Sequence, residues 1–201
     1  MKINYRKLWF IYLFLIACSD KPQLPALGND AVIVAFGDSL TYGYGAKIAD
    51  SYPAVLEKLT KRTVINAGVT GEETLQGLMR LPGILEKYQP DLLILCHGGN
   101  DILRKRDLKM MGNNLREMIN LASKQQIPVI MLGIPKPGIL LSSLPVYREI
   151  ADSTGVLLNE DLIPDILGNR NLKSDTVHPN KEGYREIAKG IYTILQDAGA
   201  I

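Results

Sequence analysis

The sequence predicts an α/β fold: a three-layer α/β/α domain around a five-stranded parallel sheet. Three observations carry this. Five apolar, strand-like runs recur along the chain, at 31–36, 63–65, 91–96, 129–132 and 156–158. Amphipathic helical stretches separate them, the alternation expected when helical crossovers join parallel strands. The first three runs also end in glycine-containing polar turns, at the sheet edge where open α/β folds keep their ligands.

The first run, 31–36, is six residues of apolar and β-branched character, suited to a strand buried on both faces. Gly37 ends it, and Asp38, Ser39, Leu40 and Thr41 follow at once. After the turn Tyr42-Gly43-Tyr44-Gly45, a helix is expected over 51–59, with Pro53 in its first turn and Val55, Leu56 and Leu59 on one face. The second strand, 63–65, runs into Asn66-Ala67-Gly68-Val69-Thr70-Gly71. There Thr70 and Glu73 fit a capping box that opens a helix carrying Leu75, Leu78, Met79, Ile84 and Leu85. Gly71 then falls at a helix mouth, where unpaired amides favour negative charge, or is simply a turn glycine.

The third strand closes on Cys96 and leads into His97-Gly98-Gly99-Asn100-Asp101, a turn by ordinary chemistry. His97 reads as packing or pocket lining, and Asp101 as structural. A helix over 107–123 follows, its buried stripe being Met111, Leu115, Met118, Ile119 and Ala122. Beyond the fourth strand, 136–146 is apolar but broken by Pro137, Gly138 and Pro145, which suits a loop with short helical pieces. A helix over 147–154 and the short fifth strand come next. Near the end, Asp175 and His178 stand three apart before Pro179, which holds His178 out of helical geometry; Asn180 can cap the last helix, with Tyr184, Ile187, Ile191, Ile194 and Leu195 on its apolar face.

The chain of 201 residues is large enough to bury a core without disulfides or metals. Its formal charge of +2 includes Lys2, Arg6 and Lys7, which lie in an N-terminal segment without acids. Removing that segment leaves a net charge near −1, and nothing then points to nucleic acid. The segment has a basic start and an apolar core over 8–17, shorter than the about 20 residues a spanning helix needs. Its end, Leu15-Ile16-Ala17-Cys18, resembles the lipobox of bacterial lipoproteins, in which the cysteine is lipidated. The expected organisation is a signal peptide over 1–17, a lipidated N-terminus and tether over 18–30, and one domain over 31–201. An uncleaved membrane anchor and a plain secretory signal are the rival readings. The other cysteine, Cys96, reads as a small buried hydrophobe, and no Cys/His spacing suggests a metal site.

Each polar block alone suits a local turn. Together, Gly37-Asp38-Ser39-Leu40, Gly71, Gly98-Gly99-Asn100-Asp101 and Asp175-Thr176-Val177-His178 resemble, in order, the blocks of the GDSL, or SGNH, family of serine esterases and lipases. The resemblance covers roughly residues 31–195 and implies a flavodoxin-like sheet. It implies Ser39 as nucleophile, His178 as base and then acid, and Asp175 as the group orienting His178. The amides of Ser39 and Gly71 and the side chain of Asn100 would form the oxyanion hole. Such chemistry needs no metal or other cofactor. Thr41 stands where a Gly-x-Ser-x-Gly elbow would carry its second glycine, so that motif is absent.

Chain length and block spacing look most like the small arylesterase and thioesterase/lysophospholipase branch, acting on small acyl-ester or lipid substrates. The loops over 102–111 and 135–147 are expected to border the cleft, with Leu103, Leu140 and Leu141 against the substrate. Two alternatives stay open: an esterase removing O-acetyl groups from envelope carbohydrate, and a catalytically idle binding lipoprotein. The expected location is the bacterial envelope, at the periplasmic side of a membrane.

Overall fold

The computed structural model describes residues 23–138 and 141–201. Five strands form one sheet: β1 (Val32–Gly37), β2 (Thr63–Gly68), β3 (Leu92–Cys96), β4 (Val129–Leu132) and β5 (Leu157–Asn159). All pairings are parallel and the order is β2-β1-β3-β4-β5, the flavodoxin-like arrangement. The central strands are sealed on both faces: Ile33 to Phe36 and Leu92 to Cys96 have no solvent exposure. That burial is what their unbroken apolar composition requires.

Among the described residues, eight α-helices connect and cover the strands: α1 (Ser39–Tyr42), α2 (Tyr52–Thr60), α3 (Thr74–Tyr88), α4 (Gly99–Leu103), α5 (Leu108–Lys124), α6 (Pro145–Thr154), α7 (Leu162–Gly168) and α8 (Lys181–Asp197). Helices α2 and α8 pack together with α7 on one side, and α3, α5 and α6 pack on the other, completing three layers. Helix α5 buries the expected stripe of Met111, Leu115, Met118, Ile119 and Ala122. Its start is set by Asp107, whose side chain accepts from Lys109 N at 2.7 Å. Asn180 caps α8 in the same way, accepting from Gly183 N at 3.0 Å.

Four local expectations are corrected. Helix α3 opens at Glu73, not Thr70, with the Glu73 amide donating to Gln76 Oε1 at 3.0 Å. Gly71 takes a positive φ of 79° and the Glu72 side chain turns inward, so no helix runs through them. The polar turn after β3 winds into α4, and Leu162–Gly168 forms α7, neither expected from the sequence. Pro145 opens α6 rather than interrupting a loop, because a first-turn proline gives up no helical hydrogen bond.

The folded body also begins before residue 31. Leu24 N donates to Ala198 O at 2.9 Å and Leu27 N to Ala200 O at 2.8 Å. Arg62 donates to the carbonyls of Leu27 and Gly28, and Leu24 and Leu27 pack against the core. Residues 24–28 are thus bound to the end of α8 rather than forming a free tether. The expected signal peptide and Cys18 lie outside the described residues. Among the described residues, no helix is long and apolar enough to cross a membrane.

Candidate active site

Ser39 is delivered by the close approach of β1 to β3. A Cβ on Gly37 would stand 1.9 Å from the Cys96 carbonyl oxygen, so only glycine lets the strand end there. Asp38 then caps α1, its Oδ1 accepting from Leu40 N at 3.0 Å. Burial pushes the Asp38 carboxyl up, against the opposing influence of the His97 ring and of the Leu40 and Gly99 amides. The chain turns at once into α1, with Ser39 as its first residue, at the crevice between β1 and β3 where the strand order reverses.

His178 comes from the far end of the chain. Asp175 Oδ1 accepts from the amides of Val177 and His178, both at 2.8 Å, and so shapes the turn that presents the ring. Asp175 Oδ2 lies 2.8 Å from His178 Nδ1, and His178 Nε2 lies 3.0 Å from Ser39 Oγ. With Nδ1–H donated to the carboxylate, Nε2 is left to accept from the serine hydroxyl. Burial raises the Asp175 pKa, but the Val177 amide and the His178 ring and amide outweigh it and hold the carboxyl below its ordinary range. Tyr44 packs on the imidazole, ring centroids 4.6 Å apart, and is itself held by the Tyr184 hydroxyl, which donates to the Tyr44 carbonyl at 2.7 Å. Sequence reasoning passed over Tyr44. Its position between two glycines, Gly43 and Gly45, just after α1 was the available signal.

Asn100 sits in the first turn of α4, its Nδ2 donating to the Glu72 carbonyl at 3.1 Å. Gly71 precedes Glu72 on the β2–α3 loop, its carbonyl accepting from Arg104 Nη1 at 3.0 Å. One cavity is lined by Ser39, Asn100 and His178 together, whereas Gly71 is not among its lining residues. Asp101 turns away from the cavity to α3, accepting from Thr74 N at 2.9 Å and Thr74 Oγ1 at 2.7 Å. His97 is fully buried beside Phe36 and also does not line the cavity.

The walls are mainly aliphatic: Leu40, Leu103, Ile134, Pro135, Pro137, Leu141, Leu167 and Val177, with Lys173 and Thr176 adding polar groups. Leu103 and Leu141 are thus on the cavity wall, while Leu140 falls outside the described residues. Other members of the two loops lie elsewhere: Ile102 and Met111 are buried in the core, while Leu108, Leu144 and Val146 line a separate groove along α5 and α6. Leu167 and Val177 went unforeseen because α7 did. Asn159, whose Oδ1 accepts from Leu162 N at 2.8 Å, and Pro164 in the first turn were the helix-start signals that marked it.

A serine, a histidine and an aspartate in hydrogen-bond sequence at the carboxyl edge of a parallel sheet define a serine acyl hydrolase. The comparisons with known proteins agree. The sequence profile of the GDSL-like lipase/acylhydrolase family matches residues 35–186, and the chain belongs to that family as a serine esterase. It is 32% identical over 168 residues to an arylesterase of Vibrio mimicus, covering 78% of this chain and 84% of the relative. It is 26% identical over 205 residues to thioesterase 1/protease 1/lysophospholipase L1 of Escherichia coli K12, covering 98% and 96%. Among solved structures it resembles the psychrotrophic esterase EstA of a Pseudoalteromonas species, with a TM-score of 0.75, 25% identity, and 84% of this chain and 98% of that one covered.

Proposed function

We propose that this esterase cleaves carboxylic esters or thioesters of medium-length acyl chains through an acyl-enzyme on Ser39. The observation that carries the reading is the 3.0 Å contact of Ser39 Oγ with His178 Nε2 on the wall of an aliphatic cleft. A serine hydroxyl is a weak nucleophile near its ordinary pKa, and His178 removes its proton as attack proceeds. Asp175 holds the ring in the tautomer that leaves Nε2 free and stabilises the imidazolium that forms. The tetrahedral oxyanion is met by the Ser39 amide and Asn100 Nδ2, with the Gly71 amide, on the adjoining β2–α3 loop outside the cavity wall, as the third donor that the family resemblance implies. His178 then returns the proton to the departing alcohol or thiol, and a water activated in the same way releases the acid. No step calls for a metal or organic cofactor.

Chain length is argued from the walls. Among the described residues no Phe, Tyr or Trp is part of the cleft wall, and the Tyr44 ring packs on His178 beside it, so the cleft lacks the flat platforms that sugars favour. The aliphatic lining favours methylenes, each worth roughly 0.8 kcal/mol when buried. Kinetics on p-nitrophenyl esters from about two to about twelve carbons test this: kcat/KM should rise severalfold for each added carbon until the cleft is full. A steep decline from acetate onward would turn the reading to the carbohydrate O-acetyl esterase. Absence of hydrolysis across the series would leave a binding lipoprotein. The Leu-Ile-Ala-Cys ending supports a lipid on Cys18 that holds the enzyme at the periplasmic side of a bacterial membrane.

A further inference from the structure

A second row of ionisable groups lies buried behind the site and takes no part in proton transfer. Glu72 accepts from Arg80 Nε at 2.8 Å and Arg80 Nη2 at 2.7 Å, a two-pronged pair. The same carboxylate lies 3.1 Å from His97 Nε2. The other ring nitrogen, Nδ1, accepts from Gly98 N at 2.9 Å, so Nε2 carries the proton and donates it to Glu72. Arg80 also donates to the Ala67 carbonyl at 3.0 Å and lies over the Phe36 ring at 4.2 Å. The cluster therefore ties together the carboxyl ends of β1, β2 and β3. Room for it is kept by Gly77, where a Cβ would stand 2.4 Å from His97 Nε2.

Glu72 belongs to a loop with no regular backbone pairing to steady it, and its own carbonyl receives Asn100 Nδ2 at 3.1 Å. An amide nitrogen has two N–H groups. Engaging one on the Glu72 carbonyl fixes the carboxamide plane and so sets the direction of the other. We propose that Glu72 is a positioning residue for catalysis: clamped by Arg80 and His97, it aims the remaining N–H of Asn100 at the developing oxyanion. The inference rests on the oxyanion role proposed for Asn100. It makes His97, which touches no substrate, a determinant of turnover rather than of binding.

A double-mutant cycle on the full-length enzyme tests it, with p-nitrophenyl butyrate as substrate and thermal melts to verify folding. Asn100→Ala should lower kcat by about 10² to 10³ with KM nearly unchanged. Glu72→Gln and His97→Leu should each lower kcat about tenfold at constant KM, and His97→Gln, which keeps an N–H donor, should recover most of the loss. In the Asn100→Ala background, Glu72→Gln should cost less than about twofold more, because its effect runs through Asn100. Should Glu72→Gln not fold, Arg80→Lys keeps the charge, loses the fork and carries the same cycle. A full tenfold loss on top of Asn100→Ala, a change in KM alone, or an unaltered kcat in the single variants would overturn the positioning role. If Asn100→Ala itself turns over normally, the oxyanion assignment fails and the positioning role fails with it.

Discussion

At the scale of single residues, two histidines stand within reach of a carboxylate, and their surroundings separate them. His97 is enclosed, with both ring nitrogens engaged by Gly98 and Glu72, whereas His178 has one nitrogen on Asp175 and the other on Ser39. Ser39→Ala and His178→Ala are each expected to lower kcat by about 10⁴ to 10⁶, and the double variant to fall no further, since the two act as a unit. Turnover that survives His178→Ala would remove His178 as the base. Glu72 supports a pH prediction of its own. Burial pushes its carboxyl up, but His97 and Arg80 outweigh this and bring its pKa from an ordinary 4.5 to about 2. A depressed pKa means stabilisation that is complete above 4.5 and vanishes as pH falls toward 2. The Tm difference between the native chain and Glu72→Gln should therefore be constant near neutrality and close across that acid window. A gap that persists at the acid end would mean that the carboxylate is not ionised against Arg80.

At the scale of elements, the site depends on how closely backbone segments approach one another. A Cβ on Gly68 would stand 2.1 Å from Tyr42 N and 2.6 Å from the Thr41 carbonyl carbon, so the end of β2 touches α1 directly. Gly68→Ala must push α1 outward, and Ser39 with it. A displacement of about 1 Å is expected to cost about 10² in kcat/KM. Leu115 in α5 makes the contrast, being fully buried between the sheet and its neighbouring helices and far in sequence from any site residue. Leu115→Ala should cost about 2–5 kcal/mol of stability and leave kcat of the folded enzyme intact. Urea titrations alongside steady-state kinetics check the pair; matching losses of stability and activity in both variants would show that α1 is not held by this contact.

At the scale of the whole molecule, the two ends of the sheet are put to different uses. Residues 23–25 border a groove with Pro128, Val129, Val156 and Leu157, at the amino-terminal edge of β4 and β5. Ser39, Asn100 and His178 stand at the carboxyl edge, on the opposite side of the domain. The proposed anchor on Cys18 would thus join the folded body away from the cleft. Cys18→Ala is expected to move the protein out of the membrane fraction while the purified enzyme keeps its kcat/KM. Unchanged membrane association with residues 1–17 still attached would favour an uncleaved anchor.

What the chain determined by itself was its periodicity and punctuation. Continuous apolar runs required strands buried on both faces, the spacing of Met111, Leu115, Met118, Ile119 and Ala122 required one helical face, and the polar residues after Phe36, after Cys96 and before Pro179 named the three side chains of the cleft. These are local signals, readable because backbone geometry repeats every two or 3.6 residues. What only the tertiary structure decided was everything that depends on approach between distant segments. Glu72 became buried because Arg80 and His97 converge on it, and that inward turn moved the start of α3 to Glu73. Ile102 went to the core while Leu103 went to the cleft, a choice made by the rotation of α4 on the sheet, and Met111 went to the core with the buried face of α5. Leu167 reached the substrate side only because α7 packs on α8. Such outcomes follow from packing and charge pairing across long sequence separations, which no spacing of residues along a chain encodes.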